Sequence, residues 1–362
     1  MVNKNLNIPL YIQIYNDLKN KIIENKYNEE FLPSERLLSE EYHVERATLR
    51  RALQLLVKDN LLIKVPGSGS KVNRNFSATP GIDRDASNNI AFILPGESID
   101  KIYQPFIASL FFNFEKSCRR YNYSLFYTRL DSEEDLYERV VKKHIKGIVW
   151  VSKVNENLVL KAKEMHIPSV CVSNYVPGFK TVLCDNYEGS FLAVEHLVRL
   201  GHKKIAYING IKTYLNALER YTGYTRALSL LGVQHDEGLV RNGDWTFESG
   251  YDAMKGLIHS VPDLTAVYAS NDMMALGAIK AVSDSGMSVP DDISVVGFDN
   301  ISQGMYFSPS LTTIDVNTET FAYETLEALN QTIEDINSPP IKVLIPNSLV
   351  IRESTKRISP NF

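Results

Sequence analysis

Arg46, Arg50 and Gln54 recur every four residues, so on a helix their side chains share one face. A guanidinium can bond both acceptors of a guanine, and all three side chains can bond base edges or phosphate oxygens. The same polar stripe is also what an ordinary solvated helix face displays. A second constellation stands far downstream, where Glu219-Arg220-Tyr221-Thr222-Gly223-Tyr224, Gly243-Asp244-Trp245-Thr246, Ser270-Asn271-Asp272-Met273-Met274-Ala275 and Gly297-Phe298-Asp299 follow, or lie near, the ends of strand-like runs. Carboxylates and an Arg offer charge-assisted hydrogen bonds to paired hydroxyls, and an aromatic plane such as Trp245 or Phe106 offers a face for C–H groups. Together they fit a sugar. Each has a plainer reading as well: Arg220 and Asp299 as a structural ion pair, Asn271 as the cap of a helix starting near Met273, and Trp245 as core.

The elements around the first trio make its helix a reading head. Leu10, Ile14, Leu18 and Ile22 lay an apolar stripe along a helix ending near Asn25, and Ser34 can cap a second helix that runs through Leu37 and Leu38 toward Tyr42. After a turn at His43-Val44-Glu45, a third helix puts Leu49, Leu53, Leu56 and Val57 inside, opposite the trio. That is helix-turn-helix geometry. Leu61 to Val65 then reads as a strand, Pro66 to Gly69 as a tight turn and Ser70 to Val72 as the returning strand, which makes a wing.

The segment 8–73 resembles the GntR-type winged helix-turn-helix through Leu32-Pro33-Ser34-Glu35-Arg36, Val44-Glu45-Arg46-Ala47-Thr48-Leu49-Arg50-Arg51-Ala52-Leu53 and Gly67-Ser68-Gly69. The resemblance implies that Arg36, Arg46, Thr48 and Arg50 meet DNA and that the wing tip at Gly67, Ser68 and Gly69 approaches the minor groove; Gln54 joins them by its spacing. Three features depart from the family pattern: Glu45 where a Ser cap is usual, no Gly in the loop Lys26 to Glu29, and Lys71 in place of an aromatic.

Beyond a polar run from Asn73 to Asn89, Ile90 to Leu94 opens an alternation of strands and helices. A helix pattern over Pro105 to Tyr121 is followed by strands at Ser124 to Tyr127, Gly147 to Val151, Ser169 to Val172, Lys204 to Ile208, Ala266 to Ala269 and Ser294 to Phe298. Strict alternation implies parallel sheets covered on both faces. Because it pauses near Cys184-Asp185-Asn186 and restarts, two similar lobes are expected, with a ligand cleft beyond the strand ends. This region resembles the LacI/GalR-type effector-binding domain, which is similar to periplasmic sugar-binding proteins. The resemblance runs through Asp185-Asn186-Tyr187-Glu188-Gly189, His196 to Ala206, Val289 to Asp299, Pro309 to Ile314 and Leu349 to Thr355. It implies that Phe106, Arg220, Trp245, Asn271, Asp272 and Asp299 line the effector pocket, with Ser173 standing where many sugar-binding members carry Asp. The pairing of the two parts looks like the arabinose repressor group, so arabinose is a candidate effector.

The expected fold is therefore α/β, a winged helix-turn-helix followed by a two-lobed periplasmic-binding-protein-like domain of two parallel-sheet subdomains. The expected bounds are a DNA-binding head over 1–73, a flexible linker over 74–88 and an effector and dimerisation domain over 89–357. Its first lobe is expected over about 89–185 and 314–340 and its second over about 186–313 and 341–357. Composition agrees: of 362 residues 44% are apolar and 23% charged, an ordinary globular balance. Residues 1–74 hold 12 Lys and Arg against 9 Asp and Glu, and the rest hold 27 against 34, so the positive charge gathers in the part that would meet phosphate. No apolar run is long enough to span a bilayer and the start lacks a secretion signal, so a cytoplasmic location without membrane contact is expected. Cys118, Cys171 and Cys184 have no metal-like spacing and read as reduced thiols. No phosphate-binding Gly loop follows the first strand and no Gly-x-Ser-x-Gly motif stands out, which argues against an enzyme, and no cofactor or metal is implied. The resulting expectation is a homodimeric repressor of a carbohydrate-utilisation operon. It binds a pseudo-palindromic double-stranded DNA operator and is released by a small-molecule sugar; the alternative is co-repression by a sugar phosphate or purine.

Overall fold

The computed structural model describes residues 10–23, 26–27, 31–58, 61–65, 69–73, 88–95 and 102–358. The chain divides into two compact units, Met1–Asp83 and Arg84–Phe362. The expected linker residues 74–87 and the wing-tip residues Gly67 and Ser68 lie outside the described residues.

In the first unit, α1 (Leu10–Ile23), α2 (Glu35–Glu41) and α3 (Arg46–Lys58) enclose one core. Ile14 and Leu18 of α1, Leu38 of α2, and Leu49, Leu53 and Leu56 of α3 are all but fully buried in it. Each such side chain contributes roughly 1.5–3 kcal/mol, so the stripe read from the sequence is what binds α1 to the pair. Ser34 caps α2 by accepting from the Leu37 amide, and His43 takes a left-handed φ of 52° at the turn into α3. The strands β1 (Leu62–Val65) and β2 (Gly69–Val72) pair antiparallel from Leu62 opposite Val72 to Val65 opposite Gly69. Phe31 bridges Lys71 on the other side of β2.

The second unit holds two six-stranded sheets. The first orders β4 (Ser124–Leu130), β3 (Asn89–Pro95), β5 (Gly147–Val151), β6 (Ser169–Val172), β7 (Lys180–Cys184) and β13 (Lys342–Ile345), all parallel. α4 (Pro105–Arg120), α5 (Glu133–Leu136), α6 (Glu156–Glu164) and α12 (Thr318–Glu334) belong to this lobe. The second sheet orders β9 (Val240–Asn242), β8 (Ile205–Asn209), β10 (Ala266–Ala269), β11 (Ser294–Asp299), β12 (Thr312–Asp315) and β14 (Ser348–Val350), with β14 alone antiparallel. Around it lie α7 (Asn186–Arg199), α8 (Leu215–Leu230), α9 (Phe247–Ser260), α10 (Asp272–Asp284) and α11 (Ser302–Tyr306). Central strands such as β5, β6, β8 and β10 are buried at every residue, as parallel strands covered on both faces must be.

The later crossings between lobes differ from the expected bounds. Residues 314 and 315 stay in the second sheet, where β12 pairs with β11, and residues 342–345 return to the first, where β13 extends the edge beside β7. The chain crosses at 316–317 and 346–347 instead. Strand and helix periodicity reports what an element is and leaves open which sheet it joins.

Candidate functional site

On the head, α3 leaves Arg46, Arg50 and Gln54 exposed and Thr48 half-buried, with Arg36 exposed on α2. Ion pairs hold two of the cations: Arg50 Nε donates to Glu35 at 2.7 Å and Arg36 Nη1 to Glu40 at 3.0 Å. Exposed pairs contribute only about 0–1 kcal/mol, so phosphate or a base edge can displace the carboxylate at little cost. The supporting helices are fixed more firmly, because Tyr42 donates to Asp17 at 2.5 Å while Lys21 bonds Tyr42, Asp17 and Glu41. Gly69 opens β2 with φ +102°, a backbone that favours Gly. Exposed Lys64 on β1 is a further cation on the wing that the sequence reading did not single out.

In the second unit a cavity of about 330 Å³ opens between the lobes at the carboxyl ends of the strands. Arg220, projecting from α8, forms its floor. The guanidinium is buried and donates from Nε to Asn186 Oδ1 at 2.8 Å, from Nη1 to the Ser270 carbonyl, and from Nη1 to Asp299 Oδ1 at 3.4 Å. It lies 3.6 Å from the centre of the Phe298 ring, a stacking that suits planar Arg. Burial lifts the Asp299 carboxyl to about 7, against the pull of Arg220, because an ionised carboxylate loses its water there.

Trp245 forms a wall. Its ring lies on Gly210, where an added Cβ would stand 2.1 Å from it, so Gly210 has to be Gly for the indole to sit there. Phe106, at the start of α4, packs against apolar clusters of both lobes and so closes the cavity from the other side. Asp244, beside Trp245, is held below the usual carboxylate range: burial works upward, but hydrogen bonds from Thr246 and Ser249 prevail. Among the described residues the cavity lining carries one cation, Arg220, against two carboxyls, Asp244 and Asp299. Ser152, Ser173, Trp245, Asp299 and Asn300 all have positive φ, from 54° to 114°. Such backbone costs on the order of 1–3 kcal/mol per residue and gathers where side chains must be aimed.

Of the expected residues, Phe106, Ser173, Arg220, Trp245, Asn271 and Asp299 line this cavity. Asp272 does not. It is fully buried beneath the cavity, where it accepts from the Ile301 amide at 2.8 Å and the Thr313 hydroxyl at 2.5 Å, so its part is to hold the strained turn that presents Asp299. Two plainer readings hold together with the site: Asn271 caps α10 through the Met274 amide while its Nδ2 donates to the Trp245 carbonyl, and Arg220 does pair with Asp299. Trp245 is half-buried, lining the cavity wall while it packs against the apolar cluster of the second lobe. Asn186, Tyr214 and Ser152 also line the cavity; Asn186 stood within a quoted motif, and nothing in the spacing marked the other two.

Comparison with known proteins matches residues 10–72 to the bacterial regulatory proteins of the gntR family and residues 194–355 to the periplasmic binding protein-like domain. The HTH-type transcriptional repressor PurR of Mannheimia succiniciproducens is 33% identical over 263 residues, covering 70% of this chain and 79% of that protein. The HTH-type transcriptional regulator CelR of Thermobifida fusca is 35% identical over 170 residues, 47% of this chain and 50% of CelR. Among solved structures, a CelR–cellobiose complex superposes with TM-score 0.69 at 24% identity, over 89% of this chain and 100% of the other. A LacI family regulator from Enterococcus faecium with bound ribose gives 0.67 at 24% identity, over 75% and 100%. The lac repressor dimer bound to operator gives 0.66 at 23% identity, over 75% and 94%.

Proposed function

Because this chain belongs to the helix-turn-helix transcriptional repressors, with a gntR-family head and a periplasmic binding protein-like body, we propose that its cleft takes an uncharged sugar whose occupancy weakens operator binding. The observation that carries this reading is the buried Arg220–Asp299 pair on the floor of a 330 Å³ cavity walled by Trp245. The volume is at the small end of ligand pockets, roughly 300–1,000 Å³. Paired hydroxyls can bridge the guanidinium and the carboxylate while a C–H face rests on the indole. Among the described lining residues a phosphorylated sugar or other anion would meet one cation and two carboxyls, a balance that favours a neutral polyol.

The head reads DNA through Arg46, Thr48, Arg50 and Gln54 on α3, with Arg36 on the flanking backbone and the wing tip toward the minor groove. A homodimer would place two heads on the half-sites of a pseudo-palindrome. No helix among the described residues is long and apolar enough to cross a membrane. A thermal-shift screen of the whole protein with L-arabinose, ribose, cellobiose, sugar phosphates and purines tests the cleft. A sugar at 100 times its Kd adds about 2.7 kcal/mol of stability and should then lower affinity for the promoter fragment. Stabilisation by phosphates or purines alone, or operator binding that tightens with sugar, overturns the reading.

A further inference from the structure

The chain passes between the two sheets three times, at 185, 316–317 and 346–347. Asn347 stands in the third. Its Nδ2 donates to the Asp185 carbonyl at 2.6 Å and its Oδ1 accepts from the Cys184 thiol at 3.3 Å. The Asp185 amide in turn donates to the Ile345 carbonyl at 3.0 Å. The first and third crossings are therefore laced by three hydrogen bonds, two of them made by one side chain.

The same amide reaches the floor of the cleft. A Cβ built on Gly189 would stand 2.6 Å from Asn347 Nδ2 and 2.7 Å from the Phe298 ring, so Asn347 and Phe298 close over the one place on α7 where a side chain is missing. Phe298 carries the Arg220 guanidinium on its other contact, and Arg220 Nε holds Asn186, the residue just past the first crossing. Two short routes thus join the charged pair to the crossings, one by ring stacking and one by a hydrogen bond.

We propose that Asn347 is a positioning residue that locks the first and third crossings into one hinge, so that a change at Arg220 and Asp299 alters the angle between the lobes instead of dissipating in independently moving strands. Its ligand arm rests on the reading of the cleft as a sugar site; its mechanical arm does not. Without the amide, the Cys184 thiol and the Asp185 carbonyl each lose a partner, and of the three bonds only that from the Asp185 amide to the Ile345 carbonyl still ties the crossings.

Spin labels on α6 and α9, at Asn157→Cys and Lys255→Cys in the full chain, report the distance between lobes. Both positions are exposed, while the native thiols are buried and pushed up to about 12 by burial, so labelling is confined to the introduced sites. In the absence of any sugar, Asn347→Ala is expected to widen the distance distribution about twofold, as hinge elements freed of a constraint do. Gly189→Ala should match it, and Cys184→Ala, which removes one bond of the three, should fall between. With L-arabinose, ribose or cellobiose, Asn347→Ala should bind within about threefold of wild type yet lose about tenfold of the ligand's effect on operator affinity, a typical coupling range. A wild-type width in Asn347→Ala and Cys184→Ala, even with lowered melting temperatures, overturns the hinge role. If no sugar acts on the wild-type protein, the cleft reading fails and the sugar-free widths still decide the hinge.

Discussion

Burial lifts the Asp299 carboxyl to about 7 although Arg220 stands 3.4 Å away, so near neutrality the free cleft is a mixture of protonated and ionised forms. A polyol that donates its hydroxyls to the carboxylate favours the ionised form, and binding then releases a proton. Sugar affinity should rise as pH climbs through 7, by about tenfold between pH 6 and pH 8, the full proton linkage of one such group. Asp299→Asn should flatten the profile, and an unchanged slope in that variant would remove Asp299 from the contact. For folding the sign is opposite. The folded carboxyl keeps its proton where the unfolded one, with its ordinary value of 3.8, has lost it, so this group costs stability as pH rises from about 4 to 7 and adds no further cost above. Gly210 is testable at the same scale. Gly210→Ala would drive a methyl into the Trp245 ring and should weaken sugar binding about tenfold, the loss of roughly 1.4 kcal/mol of aromatic contact. Equal affinities by calorimetry would make the indole a bystander.

Among the elements, the segment 352–358 behaves as a strap across the second lobe. Ser354 Oγ donates to the Val295 carbonyl at 2.6 Å, His196 meets the Thr355 hydroxyl at 3.0 Å, and His202 lies between Thr265 and the Lys356 carbonyl. Burial pushes both imidazoles below their ordinary 6.5. They therefore take up protons more readily in the unfolded chain, and stability is lost as pH falls below about 6.5. His202→Gln should reduce the drop in melting temperature between pH 7 and pH 5.5, and a wild-type slope would show that its protonation is unimportant. The strap also marks what the sequence disclosed. Long apolar runs such as Ile90 to Leu94 and Gly147 to Val151 announce themselves because both faces are buried. The short strands β9, β12, β13 and β14 carry polar residues or lie at edges, and β7 opens on a Lys that is buried against Gln331; none of these has a clear period. Strand ends, charge and an aromatic plane pointed to Arg220, Trp245 and Asp299, and all three line the cavity. The positive φ at Ser152 and Ser173, and the inward turn of Asp272, depend on backbone direction that residue types do not reveal.

At the scale of the molecule, positive charge gathers in the first unit and negative charge in the second, and each unit has its own apolar core. The two tasks should therefore be separable by mutation in the full chain. Arg50→Ala removes an exposed cation of the reading helix and is expected to cost about 1–3 kcal/mol of operator affinity, with relaxed base choice if it meets a base; if it holds phosphate, the magnitude of the salt slope falls by about 1. Arg220→Ala leaves the partners of a buried guanidinium unsatisfied and should abolish the sugar response. Its sugar-free operator affinity should stay within about 0.5 kcal/mol of wild type, because the head packs about an apolar core of its own. Operator titrations by fluorescence anisotropy at several salt concentrations, with and without sugar, measure all of these in one experiment. An Arg50→Ala protein with wild-type affinity and salt slope would displace α3 from the DNA. An Arg220→Ala protein that had lost operator binding while still folded would mean that the cleft's charged pair sustains the DNA-binding state itself, and the division of labour between the units would have to be abandoned.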